Sequence, residues 1–236
     1  ISTSDSELMA LDVGTGEVQW TFQAIAESAR ILSASSVAAS EDTVIAPFAS
    51  GELTALLAAN GRRVWTDSLS RTGRLTSLSA INDIAGRPVV DQGVVYAASH
   101  SGVLAAIDIR TGQRVWSRAF ASTQTPWIAG DVLYAVSVDG ELAAFDRATG
   151  GVFWVRQLRR YRDEEERSGR VSWAGPIMVG GKLVLANSVG DVVAVAPQNG
   201  TVTATADAGN PVFIPPVTAA GSIYLVTDEA RLVVLR

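Results

Sequence analysis

Few side chains in this sequence could do chemistry, and most of those recur. His100 is the only histidine, so it is the one imidazole base available to a Ser-His-Asp arrangement, and a His-rich metal site is ruled out. It falls in a turn and is expected to be solvated. The sequence contains no cysteine, which removes thiolate metal ligands, disulfides and thiol nucleophiles together. The carboxylates are more regular. Asp12, Asp108 and Asp146 each stand four residues before a glycine, Gly16, Gly112 and Gly150, within Asp-x-x-Thr-Gly. At that spacing a carboxylate can accept hydrogen bonds from turn N–H groups, which is structural work. No glycine follows a strand pattern while opening a helix, so no phosphate-cradling loop is expected. No catalytic residue and no metal site is assigned.

Two segments could instead recognise a partner. Arg156 to Arg170 carries six arginines against four carboxylates. It reads as an exposed loop with internal ion pairs, or as a docking arm built on arginine forks and Tyr161. Between Asp67 and Arg87, Leu75, Leu78, Ile81 and Ile84 recur every third residue, which predicts one apolar face of a short helix. Such a face serves either an interface or a seal between neighbouring units. The net charge of −5 argues against nucleic acid, whose phosphates call for a cationic face. No run approaches the roughly 18 apolar residues of a membrane-spanning helix.

A repeat must position these groups. Four turn glycines are each followed four residues later by tryptophan: Gly16 and Trp20, Gly61 and Trp65, Gly112 and Trp116, Gly150 and Trp154. A fifth glycine, Gly200, is followed by Ala204 instead. The copies recur at roughly the 40–50-residue period of propeller blades. One full copy, Arg87 to Phe120, resolves into four strand-like runs: 88–90, 94–99, 103–109 and 114–120. Its second and third runs are almost wholly apolar, whereas the fourth alternates.

The expected fold class is therefore all-β, a propeller of four-stranded antiparallel blades in a single domain over residues 1–236. A partial blade is expected at 4–24, full blades at about 35–70, 87–120, 125–158 and 174–206, and a partial last blade at 214–236. The leading piece supplies a blade's last two strands and the trailing piece its first three. An incomplete ring is thus expected, with further blades upstream.

The pattern Ala-x-Asp-x-x-Thr-Gly-x-x-x-Trp resembles the tryptophan-docking motif of quinoprotein dehydrogenases, in which the repeat packs each tryptophan between blades. The resemblance also implies a calcium-bound quinone beneath a vicinal disulfide. Neither the cysteines nor an acidic calcium cluster is evident, so no cofactor is expected.

A second resemblance covers nearly the whole chain. It is carried by Asn82-Asp83-Ile84-Ala85-Gly86-Arg87-Pro88-Val89-Val90, by Gly93-Val94-Val95-Tyr96-Ala97, and by Gly102 to Asp108 with Gly112-Gln113-Arg114-Val115-Trp116. These segments resemble the BamB family, the propeller lipoproteins of the outer-membrane β-barrel assembly machine. The resemblance implies an eight-bladed ring held at the periplasmic face of the Gram-negative outer membrane by an acylated cysteine that this sequence lacks. It implies a scaffold without catalysis that binds the periplasmic domains of the barrel-forming subunit, with unfolded outer-membrane proteins as further candidates. The family's Asp-x-Asp pair is matched by Asp83, with Ala85 in place of the second carboxylate, and its Leu-x-Leu-Arg segment aligns with Ala29-Arg30-Ile31-Leu32. The docking surface so implied comprises Arg30, Ile31, Leu32, Asp83 and Arg87. A quinone-dependent dehydrogenase and an unrelated periplasmic propeller module are the alternatives.

Overall fold

The computed structural model describes residues 1–3, 6–25, 36–70 and 82–236. Among these there is no helix, and hence none long and apolar enough to cross a membrane. The chain forms two compact units, Ile1–Thr125 and Pro126–Arg236. Each is a series of antiparallel sheets in which strands pair with their neighbours in sequence, the blade architecture of a β-propeller.

In the first unit, β1 (Glu7–Leu11) and β2 (Val18–Gln23) form a hairpin. One four-stranded sheet follows from β3 (Ala38–Ala39), β4 (Thr43–Pro47), β5 (Glu52–Leu57) and β6 (Arg63–Ser68). Another is built of β7 (Val89–Asp91), β8 (Val94–Ala98), β9 (Val103–Asp108) and β10 (Arg114–Ala119). In the second unit, β11 (Trp127–Ala129), β12 (Val132–Val136), β13 (Glu141–Asp146) and β14 (Val152–Gln157) form a sheet, followed by a small hairpin of β15 (Tyr161–Asp163) and β16 (Ser168–Arg170). Next come the sheet of β17 (Trp173–Val179), β18 (Lys182–Asn187), β19 (Asp191–Val195) and β20 (Val202–Asp207), and a three-stranded sheet of β21 (Val217–Ala219), β22 (Ser222–Val226) and β23 (Leu232–Leu235).

Burial follows the sequence pattern. In β8 and β9 nearly every residue is buried, because both faces of these second and third strands are covered. In the fourth strand, β10, only Trp116 is buried. In the first unit Ile45, Leu53, Val95, Ala105 and Ile107 pack in one apolar cluster; in the second, Val136, Leu142, Leu183, Leu185 and Val195 pack in another. Because strand direction alternates, two connections emerge at one end of each sheet: the turn between second and third strands, and the link to the next sheet. The Asp-x-x-Thr-Gly turns emerge at the opposite end.

Leu75, Leu78 and Ile81 lie outside the described residues. Ile84 is non-helical and fully buried among Ile45, Leu53 and Val95, so at that residue the apolar pattern serves the core. The run from Arg156 to Arg170 is not a plain loop: β15 and β16 pair Tyr161 with Arg170 and Asp163 with Ser168.

Candidate functional site

The repeated residues form a joint between consecutive sheets. The Nε1–H of Trp20 donates to the carbonyl of Ala58 at 2.8 Å, that of Trp65 to Ile109 at 2.7 Å, and that of Trp154 to Pro197 at 2.9 Å. Each acceptor lies three residues before the turn glycine of the following sheet, Gly61, Gly112 or Gly200. A Cβ on those glycines would meet indole atoms at 2.6–2.7 Å, and all three have φ near +70°. Glycine is therefore required twice over, for its backbone and for its missing side chain.

Across the hairpin each tryptophan faces an alanine: Ala10 opposite Trp20, Ala55 opposite Trp65, Ala106 opposite Trp116 and Ala144 opposite Trp154. The register shifts beside each pair, a bulge of the kind that re-aims a side chain.

The carboxylates cap their turns. Asp12 Oδ1 accepts from the N–H groups of Gly14 and Thr15 and from Thr15 Oγ1, at 2.8–3.1 Å. Asp108 holds Arg110 N–H, Thr111 N–H and Thr111 Oγ1 in the same way, and Asp146 holds Thr149 N–H and Oγ1. These bonds favour the ionised form. They hold Asp12 below the usual carboxylate range chiefly through the Thr15 N–H, and Asp108 and Asp146 chiefly through the Thr111 and Thr149 hydroxyls. Low, hydrogen-bonded carboxylates of this kind suit turn capping, not proton transfer near neutrality.

The link before β7 is pinned from several sides. Asp83 O accepts from His100 N–H at 2.9 Å, and Arg87 N–H donates to Thr125 Oγ1 at 3.0 Å. A Cβ on Gly86 would meet the Gln124 carbonyl at 2.5 Å, and one on Gly51 would meet Asn82 at 2.9 Å. Arg87 is exposed, whereas Asp83 is only 4% exposed. Asp83 is thus a buried member of the docking surface that the resemblance implies. Tucking Ile84 into the core and giving the Asp83 carbonyl to His100 turns the Asp83 residue inward. His100 is half-buried rather than solvated. Arg30, Ile31 and Leu32 lie outside the described residues.

The sequence reading missed Ser99 and Ser101. Their hydroxyls donate to the Leu69 carbonyl at 2.6 and 3.0 Å and so fix where this link begins. Their signal was the serine pair flanking the turn between β8 and β9.

The charged hairpin is clamped by ion pairs outside its own run. Arg160 and Arg170 share Asp139 Oδ1 at 3.0 and 2.9 Å, and Arg159 reaches Asp191 at 3.1 Å. Arg160 also lies 5.7 Å from the centroid of the Tyr161 ring. Within the run, Glu164 accepts from the N–H groups of Arg160 and Tyr161. Among the described residues, no group of His, Cys, Asp or Glu side chains is placed to hold a metal ion.

The family model for outer membrane protein assembly factor BamB matches residues 1–156. The chain belongs to the BamB family. It is similar to BamB of Moranella endobia, at 34% identity over 122 residues, 52% of this chain and 31% of that protein. BamB of Yersinia pestis is 32% identical over the same length, with the same coverage of each chain. The aligned stretch thus spans about a third of these curated relatives. Among solved structures, BamB from Moraxella catarrhalis has a TM-score of 0.85 at 23% identity, covering 99% of this chain and 70% of that one. Quinohemoprotein alcohol dehydrogenase from Comamonas testosteroni has a TM-score of 0.66 at 17% identity, covering 100% of this chain and 44% of that one, a likeness of fold. The BamB match takes in the pinned link and Arg87, while the hairpin of β15 and β16 lies beyond it.

Proposed function

We propose that this chain serves outer-membrane protein assembly as a non-catalytic scaffold at the periplasmic face of the Gram-negative outer membrane. It docks there on the periplasmic domains of the barrel-forming subunit, and unfolded outer-membrane proteins are further candidate ligands. The observation that carries this reading is the BamB family match across residues 1–156, which includes the link from Asn82 to Pro88.

The physical form of that link supports docking. Its backbone is held before any partner arrives, so little ordering entropy is lost on binding. It offers an exposed guanidinium, Arg87, whose planar fork suits a partner carboxylate. Asp83 contributes by holding the link, Ile31 and Leu32 are proposed as its apolar complement, and Arg30 joins Arg87 as a charge that sets register. No cofactor enters this reading.

The test is titration of the barrel-forming subunit's periplasmic domains with the intact protein and with Arg87→Glu. Loss of about tenfold or more in affinity, with unchanged thermal unfolding, is expected for a central arginine contact. Equal affinity of the two proteins removes Arg87 from the interface.

A further inference from the structure

Two of the turns packed by an indole carry asparagine before the glycine: Asn60-Gly61 against Trp20, and Asn199-Gly200 against Trp154. The turns at Gly16, Gly112 and Gly150 carry threonine there, beside an aspartate cap. Where asparagine stands, the cap position holds Leu57 or Ala196. Asparagine takes over the part of threonine. Thr15, Thr111 and Thr149 Oγ1 accept from the N–H two residues on at 3.2–3.3 Å, and Asn60 and Asn199 Oδ1 accept from Arg62 and Thr201 N–H at 3.0 Å. The exchange also brings a reactive amide into the joint.

Asparagine is a thermolabile residue, and it cyclises most readily before glycine, whose nitrogen no side chain hinders. The glycine nitrogen attacks Asn Cγ: the N–Cγ bond forms, the Cγ–Nδ2 bond breaks, and the nitrogen's proton leaves, through solvent, on the departing ammonia. Water then opens the succinimide at either carbonyl, giving aspartate or isoaspartate. Here the turn treats electrophile and nucleophile oppositely. The N–H group on Oδ1 withdraws charge from Cγ, as a donor at a developing oxyanion does. The nucleophile is withheld, because Gly61 N–H is committed to Leu57 O and Gly200 N–H to Ala196 O, each at 2.9 Å. Each glycine is also pressed against its indole, with no room for even a Cβ, so its peptide cannot swing toward Cγ. The asparagines themselves are exposed and open to water.

We propose that Asn60 and Asn199 are deamidation sites primed at Cγ and latched by the indole joint, so that each converts only when its own joint opens. Isoaspartate reroutes the chain through Cβ and Cγ, which lengthens the backbone between turn and fourth strand and carries the glycine away from the ring. The joint cannot then re-form as it was, and the modification keeps a record of the opening. The two latches are unequal. Gly200 is buried, its carbonyl accepts from Arg156 Nε at 2.7 Å, and Tyr134 Oη shares the Pro197 carbonyl with Trp154. Gly61 is only half-buried. Asn60 is therefore the faster site.

The experiment incubates the intact protein at mildly alkaline pH and follows aspartate and isoaspartate at each site by peptide mapping and mass spectrometry, against free peptides covering 54–66 and 193–205. Both sites should convert at least about tenfold more slowly in the protein than in the peptides, as a reaction that waits on local opening does. Trp20→Phe keeps a ring and removes the indole donor, so it should speed Asn60 about threefold, as loss of one hydrogen bond does, and leave Asn199 unchanged. Trp154→Phe should do the reverse. Trp20→Ala, which also removes the packing, should speed Asn60 about tenfold or more. Equal rates in protein and peptides overturn the proposal, as does a phenylalanine variant that leaves its own site unchanged or speeds both sites alike. Asn60→Asp gives an independent measure, since it keeps an acceptor for Arg62 N–H without lengthening the chain. It should unfold at the wild-type denaturant midpoint, whereas protein enriched in isoaspartate at this site should unfold earlier. A wild-type midpoint for the isoaspartate form would show that the joint tolerates the longer backbone and overturn its role as a record of opening.

Discussion

The indole of Trp65 occupies the place where a side chain on Gly112 would stand: a Cβ there would lie 2.7 Å from the ring. The same indole donates to Ile109, three residues before that glycine. Gly112→Ala therefore combines a left-handed backbone with a steric overlap. A loss of roughly 2–4 kcal/mol is expected, read as a lower denaturant midpoint. Gly93→Ala is the control. It shares a positive φ but meets nothing within 4 Å, so only the backbone part, about 1–2 kcal/mol, should be lost.

Asp12, Asp108 and Asp146 bind a proton less readily when folded than when unfolded. Their contribution to stability is full above the unfolded value of 3.8 and is lost as pH falls through the lowered folded values. Changing all three to asparagine should flatten the dependence of the urea midpoint on pH below about 4 and leave the dependence near neutrality unchanged. An unaltered acid limb would mean that other carboxylates govern acid unfolding.

Gly86 tests whether the proposed subunit-docking surface depends on backbone position. Its alanine variant would press a Cβ against the Gln124 carbonyl and displace the link that carries Arg87. Capture of the barrel-forming subunit should fall about tenfold or more, as a small misplacement of an anchor residue suffices to do, while Arg87 itself is intact. Wild-type capture by Gly86→Ala would show that the link's position does not matter.

Asp139→Ala removes the shared acceptor of Arg160 and Arg170. These groups are well exposed, so global stability should change by less than about 1 kcal/mol. The local effect should be larger: cleavage by trypsin after Arg162 and Arg167 should quicken several-fold as the hairpin loosens. Unchanged proteolysis would assign the hairpin's order to its backbone bonds and to the Arg159–Asp191 pair.

The blade pattern was legible because each of its parts reports a local requirement. Asp and Thr cap a turn, glycine allows a positive φ, and tryptophan marks the outer strand. Even the alanine opposite the indole stood in the motif, two residues before the aspartate. The inward turn of Asp83 was not legible, since it depends on His100 and on the burial of Ile84, which the turn of another strand pair brings close. The hairpin was hidden for a different reason. Tyr161 to Arg170 has no alternation of apolar and polar residues, and its ordering contacts, Asp139 and Asp191, lie outside it.

The indoles of Trp20, Trp65 and Trp154 each fasten their sheet to the one that follows, and this fastening uses a turn glycine and a carbonyl three residues before it. Such a joint makes no demand on anything more distant. Coupling between sheets then passes from neighbour to neighbour, as in a row of linked beads. Duplicating or deleting one whole sheet would re-create the same indole joint at the new seam. A gene coding for this pattern could thus change its number of copies by simple recombination, leaving selection to act on short links such as the one that displays Arg87.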